Sequence, residues 1–193
     1  MLRKMMNAII SKLRKQPFEI DPACGSKDLV YVLFSYFVRA LRGLVLKCGC
    51  KRSKGFVFAG ANSRILYGKH CSLGKSLNIG SNVVISALSK DGVIIGDNVT
   101  IKDNTIIECT AVLRSIADGM RIGNNVGISQ NCFFAARAKI EIGNDVIIGP
   151  GVSMFSENHN YKDVGTPIRL QGENRKGIVV EDDVWIGANA TVL

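Results

Sequence analysis

Histidine is scarce in this chain of 193 residues: His70 and His159 are the only two, and they lie far apart. Two remote imidazoles do not make a three-histidine metal centre, so no metal is expected. Proton transfer near neutral pH would fall to one of the pair. The six cysteines (Cys24, Cys48, Cys50, Cys71, Cys109 and Cys132) show no paired spacing. Cys48 and Cys50 lack the second pair that a structural zinc site needs. Reduced thiols in a cytosolic setting are expected. Long apolar runs are absent too. The start of the chain, to Gln16, is broken by Arg3, Lys4, Lys12, Arg14 and Lys15, which leaves no signal-peptide core. The uncharged stretch Leu29 to Val38 is ten residues and ends at Arg39 and Arg42, too short to span a bilayer. No alternation of aromatic and basic residues points to nucleic acid.

The charge that is present is placed unevenly. Residues 1–55 hold twelve Lys and Arg against Glu19, Asp21 and Asp28, and so carry the whole net charge of +9; the other 138 residues balance 13 against 13. The arm is therefore the part suited to an anionic surface. Residues 1–15 put Leu2, Met5, Met6, Ile9, Ile10 and Leu13 on one face of a helix, and Pro17 and Pro22–Gly25 end it. A second, more apolar helix is expected from Lys27 to Leu46. Two roles stay open for this 1–55 arm. It packs against the β-rich remainder, in an oligomer interface, or it lies in a membrane surface with Arg39, Arg42, Lys47, Lys51, Arg52 and Lys54 at the headgroups.

From Phe56 the sequence takes on a period of six. Aliphatic residues recur at Leu73, Ile79 and Ile85, then Ile95, Ile101 and Ile107, then Ile122, Ile128 and Phe134, then Ile142, Ile148 and Met154, then Val180, Ile186 and Val192. Four phase jumps separate these five blocks. A six-residue unit is one short strand and one turn, and three units close a triangular coil. Coils stacked at the strand spacing of about 4.8 Å force the aliphatic residue inward. Gly-Ser-Asn 80–82, Gly-Asp-Asn 96–98, Gly-Asn-Asn 123–125 and Gly-Asn-Asp 143–145 supply corners that tolerate left-handed backbone angles. The expected fold is all-β: a parallel β-helix over 56–193 behind a helical arm.

These repeats resemble the hexapeptide-repeat acyltransferases, most closely the maltose, galactoside and polysaccharide-biosynthesis O-acetyltransferases. The resemblance implies a left-handed β-helix, against the general preference for right-handed crossovers. It also implies acetyl-CoA as co-substrate, a sugar or oligosaccharide acceptor, and a homotrimer with sites between subunits. Family members usually continue for further coils that contact the coenzyme; the sequence ends at Leu193 in mid-coil, so the resemblance implies C-terminal coils that would follow it.

The largest phase jump, Met154 to Val180, ejects residues 155–179 from the coil. Long excursions carry function more often than scaffold does. This one begins Phe155-Ser156-Glu157-Asn158-His159-Asn160-Tyr161 and continues through Asp163, Pro167-Ile168 and Gln171-Gly172. By the resemblance, Asn158-His159 opens the catalytic loop and His159 is the base that deprotonates the acceptor hydroxyl. Glu157 stands where the family more usually has Asp, and would orient the imidazole or bind the acceptor. Pro167-Ile168 and Gln171-Gly172 match the motif closing the loop. Asn131, Asn158 and Trp185 are candidates for the acceptor side, Gly187 and Ala188 for the pantetheine arm. Trp185, one residue before an inward Ile, is expected to face outward, at a subunit seam or against substrate. His70, at a coil corner, reads as solvated or locally bonded.

The reading is then an O-acetyltransferase of surface-polysaccharide or lipid-linked oligosaccharide synthesis, cytoplasmic, at the inner face of the membrane. The alternatives are a non-catalytic β-helix scaffold, and a serine-acetyltransferase-like enzyme, disfavoured because too few residues precede the coils.

Overall fold

A computed structural model describes residues 2–14 and 17–193. The placements of Met1, Lys15 and Gln16, and the side chains of Leu2, Leu13 and Arg14, lie outside the described residues. The chain forms two compact units, Met1–Val38 and Arg39–Leu193.

The first unit holds helix α1 (Leu2–Arg14) and the first half of helix α2 (Ser26–Lys47). The segment between the helices is tied to α1: the Phe18 N–H donates to Ser11 Oγ (2.9 Å) and the Ile20 N–H to Asn7 Oδ1 (3.1 Å). At the start of α2 the Asp28 carboxylate reaches back to accept the Gly25 N–H (2.8 Å), satisfying a donor that the first turn leaves open. By length and composition the whole of α2 is apolar enough to cross a membrane. The sequence expectation weighed only its uncharged ten residues. The difference is the Arg39–Lys47 end of the helix, which contains Arg39 and Arg42 and belongs to the second unit.

The second unit is a left-handed parallel β-helix of six coils, its strands falling into three six-stranded sheets. The first sheet stacks Arg52–Ser53, Cys71–Leu73, Val93–Ile95, Met120–Ile122, Ile140–Ile142 and Ile178–Val180. The second stacks Val57–Ala59, Leu77–Ile79, Thr100–Ile101, Gly127–Ile128, Ile147–Ile148 and Trp185–Ile186. The third stacks Arg64–Leu66, Val84–Ser86, Ile106–Glu108, Phe133–Ala135, Ser153–Phe155 and Thr191–Val192. Every neighbouring pair within them is parallel and in register, so Ile107, Phe134 and Met154 stack directly. The inward columns are the aliphatic positions of the six-residue period, buried from Leu73 to Met154. Coiling begins at Arg52, four residues before the period becomes legible.

Two devices close the corners. Residues in the left-handed region stand one above another, and their amides bond up the column: Asn82 Nδ2 donates to Asn104 Oδ1 (3.0 Å), and Asn104 to Asn131 (3.2 Å). A parallel column runs from Asn98 to Asn125 (3.0 Å) and on to Asp145 (2.8 Å). Beside them, glycine is required by close approach: a Cβ on Gly123 would stand on the carbonyl oxygen of Gly143 in the next coil. Gly43 of α2 is required for the same reason, since its missing Cβ would meet the Val57 carbonyl of the first coil.

The phase jumps have a common place. All four fall after a strand of the third sheet and before one of the first, so residues 87–92, 109–119, 136–139 and 156–177 leave the prism along one edge. The candidate site grows from that edge.

Candidate functional site

The excursion expected over 155–179 is a β-hairpin rather than an irregular loop. Phe155 still belongs to the coil, and Glu157–His159 pairs antiparallel with Glu173–Arg175. The register sets Glu157 opposite Arg175, Asn158 opposite Asn174 and His159 opposite Glu173. Side chains alternate across a strand, so Glu157, His159, Glu173 and Arg175 share one face. Asn158 and Asn174 share the other. Opposed residues hold their Cβ atoms about 4.5–5.5 Å apart, which sets a carboxylate beside the imidazole.

The root of the hairpin is clamped by paired charges. Glu157 Oε2 accepts from Arg175 Nε (2.8 Å) and from Arg137 Nε (3.2 Å). Only 7% of the Arg137 side chain and 16% of the Glu157 side chain are accessible. Arg137 Nη1 reaches the Cys109 carbonyl (3.5 Å), Arg175 Nη1 the Ile116 carbonyl (3.4 Å), and Arg175 Nη2 the Glu173 carboxylate (3.5 Å). The hairpin is thereby tied to the loop emerging two coils below. Ser156, buried at the exit, holds its hydroxyl 2.9 Å from the carbonyls of Ala135 and Ala138. Against this rigid base His159 is exposed, and its imidazole makes no hydrogen bond among the described residues. That combination leaves a ring nitrogen available to an incoming proton donor.

The tip is organised by Asp163 and Gln171. Asp163 accepts from the Gly165 N–H (2.9 Å) and the Thr166 hydroxyl (2.7 Å), and Gln171 Nε2 donates to the carbonyls of Asp163 and Thr166 (2.7 Å each). Gly172 takes a φ of +79°, and its carbonyl accepts the Asn160 N–H (3.0 Å). The Thr166 hydroxyl, then the Gly165 N–H, hold the Asp163 carboxyl below its usual value of 3.8. A lowered folded-state value means that the carboxylate's contribution to the tip is fully present above about pH 4 and is lost as pH falls below that, through the lower folded value. Amide exchange at Gly165 and Thr166 is expected to quicken on acidification below pH 4 in the wild type. In Asp163→Asn it is expected to be fast and insensitive to pH over that range, once intrinsic exchange is corrected for.

The remaining residues singled out from sequence lie elsewhere on the prism. Asn131 sits at the edge between second and third sheets with a φ of 61°, its Oδ1 committed to Asn104. Gly187 and Ala188 occupy the same edge two coils further on, both exposed, with no atom within 4 Å of where a Gly187 Cβ would stand. Trp185 points outward from the second sheet, 79% exposed, above Ile147. No hydrogen bond or ion pair links these four to the hairpin among the described residues. Glu157 and His159 thus share one face of a strand and Asn158 stands on the other, while Asn131, Trp185, Gly187 and Ala188 lie across the third sheet from them. His70 is locally bonded, its Nδ1–H donating to the Ser89 carbonyl (3.0 Å).

Sequence reasoning missed Glu173, Arg137 and Arg175. The signal in the sequence was the pair Glu157-x-His159 and Glu173-x-Arg175 flanking a turn-rich stretch, a hairpin pattern. All six cysteines are free. Burial pushes the Cys109 thiol up to about 11, and raises Cys132; a hydrogen bond to Cys50 and then burial raise Cys71. These buried thiols are protonated, poor nucleophiles. No group of His, Cys, Asp or Glu able to hold a metal occurs among the described residues.

No protein-family model matches this chain, and no curated protein or solved structure matches it significantly. What stands is the fold: the left-handed β-helix typical of hexapeptide-repeat acyltransferases.

Proposed function

We propose that this protein is an acetyl-CoA-dependent O-acetyltransferase, its acceptor a sugar hydroxyl of a surface polysaccharide or lipid-linked oligosaccharide. The observation that carries the reading is the clamped hairpin holding an exposed His159 across from Glu173 on an acyltransferase fold. A sugar hydroxyl is too weak an acid to attack unaided, and an imidazole titrating near neutrality is the natural base. His159 takes the hydroxyl proton while that oxygen attacks the thioester carbonyl carbon. A C–O bond forms and the carbonyl electron pair moves onto oxygen. The tetrahedral oxyanion then collapses, the C–S bond breaks, and the coenzyme thiolate leaves with the proton returned by the imidazolium. The Glu173 carboxylate opposite His159 favours the imidazolium at the midpoint. Direct transfer needs no acyl-enzyme, in keeping with the protonated state of the buried thiols.

The open corner at Gly187 and Ala188 fits a pantetheine arm, with backbone groups free to meet its amides. Asn131, Asn158 and Trp185 are assigned to the acceptor side. Because His159 and the Gly187 corner leave the prism from different edges, one chain does not join them. A homotrimer, in which the hairpin of one subunit faces the 185–188 corner of the next, supplies both halves of each site.

Thiol release from acetyl-CoA with a panel of mono- and oligosaccharide acceptors tests the reading. Acceptor-dependent release, with one acetyl group gained by the sugar in the mass spectrum, is the expected result. Coenzyme binding without turnover on any acceptor would leave the non-catalytic scaffold instead.

A further inference from the structure

Acidic residues vanish from a long stretch of this chain. Between Asp28 and Asp91 there is no Asp or Glu, while ten Lys and Arg fall there; residues 91–193 reverse the balance, with thirteen acidic and nine basic side chains. The β-helix is therefore polar along its axis, basic in its first two coils and acidic in its last. In those first coils Lys51, Arg52, Lys54, Arg64, Lys69 and Lys75 are exposed, and none forms an ion pair among the described residues. Large aromatic side chains stand among them: Phe56 is 70% exposed against Phe58 (ring centres 6.4 Å apart), and Tyr67 is exposed at a left-handed corner. Unpaired cations on a surface that also exposes a few aromatic rings suit the headgroup layer of a bilayer.

Helix α2 adds a second observation. From Val30 to Phe34 every residue is a large apolar side chain and every one is exposed, and Tyr36 and Phe37 continue the run. At 100° per residue these positions go right round the helix, and a helix apolar all round is a buried helix. This stretch belongs to the first unit; in the second, the Arg39–Lys47 end is engaged, through Gly43 on Val57 and through Arg39 to Asn78 Oδ1 (2.7 Å) and the Ile79 carbonyl (3.0 Å).

Two copies meeting face to face at this acid-free, cationic stretch would set like charges together, and like charges repel. A bilayer bearing anionic headgroups complements it. The geometry also fixes how the helix enters. The uncharged ten residues are about 15 Å long, half the hydrocarbon thickness. Pointed downward, they would set Lys27 and Asp28 at the bilayer midplane. Laid parallel to the surface, the helix keeps Lys27 at one end and Arg39 and Arg42 at the other among headgroups, with the apolar middle below them. We infer that the protein docks on an anionic bilayer, α2 sinking Val30–Phe37 in the interface parallel to the membrane plane and the unpaired cations of the first two coils meeting phosphate headgroups. This does not depend on the reaction proposed above.

The test is flotation of the full chain with vesicles of phosphatidylcholine, alone or with one-third phosphatidylglycerol. Strong flotation only with the anionic vesicles, released by 0.5 M salt, is expected. Each basic residue at a membrane surface contributes about fivefold to partitioning, so Arg52→Gln with Lys54→Gln is expected to weaken binding about 25-fold. Phe34→Glu with Phe37→Glu is expected to abolish it, both variants keeping the wild-type circular dichroism and thermal melting. Failure of the wild type to float overturns the inference, as does flotation that neither variant weakens. A fall in oligomer mass for the Phe34 and Phe37 variant, with flotation unchanged, would assign the helix to a second copy and overturn it too.

Discussion

Replacing His159 by Gln is expected to lower kcat/KM for acetyl transfer by about 100- to 10,000-fold, the range that a positioned general base contributes. The exposed imidazole carries no structural bond among the described residues, so the variant should fold and melt as the wild type does. Coenzyme affinity, measured by calorimetry, should be unchanged. The loss then lies in the transition state and not in binding. The pH–rate profile sharpens the test: the limb reporting deprotonation of the base should vanish in the variant. Glu173→Gln should have a smaller effect on rate, because that carboxylate acts on the imidazolium and not on the substrate. Undiminished turnover in His159→Gln removes this residue from the chemistry, and with it the reading of the hairpin as an active site.

The coils were legible because their inward side chains have no choice. Ile95, Ile122 and Ile142 stack in one column, and any polar residue there would be buried without partners. The first coil was less legible for a physical reason: its inward residues include Ser53 and the small Ala59, and Gly43 of α2 lies over Val57. The phase jumps were visible as jumps, but their common edge follows only from counting strands around the prism. Counting modulo three turns four interruptions into one wall of loops.

The site was half legible. His159 stood out because histidine is rare and because the chain there leaves its repeat. Glu173 did not, since only the antiparallel register brings it opposite His159. Arg137 lies in the short 136–139 corner, and its burial and its bond to Glu157 are long-range facts. Asn131 read as an acceptor ligand, yet its φ of 61° and its bond to Asn104 give it a structural role at a corner that any such ligand function would have to share.

Glu157 is where a catalytic and a structural role predict different numbers. Its carboxylate holds two guanidiniums, one nearly inaccessible to water. Glu157→Leu would strand Arg137 and leave Arg175 only the Glu173 carboxylate; breaking a buried pair from one side costs about 3–5 kcal/mol, a large part of the roughly 5–15 kcal/mol typical of a folded domain. A marked drop in chemical stability is expected, with unfolding of the hairpin first. Glu157→Gln keeps the shape and one acceptor and should lose about 1–3 kcal/mol. If the carboxylate only positions the hairpin, Glu157→Gln lowers turnover without moving the limb of the pH profile that His159 sets. A double-mutant cycle with Arg137→Met should show strong coupling in stability. If instead Glu157 served the imidazole or the acceptor directly, that limb would shift and the coupling to Arg137 would be small. The paired bonds to Arg137 and Arg175, and the side of the strand shared with His159, favour the first outcome: a carboxylate that acts on the reaction by fixing where the imidazole stands.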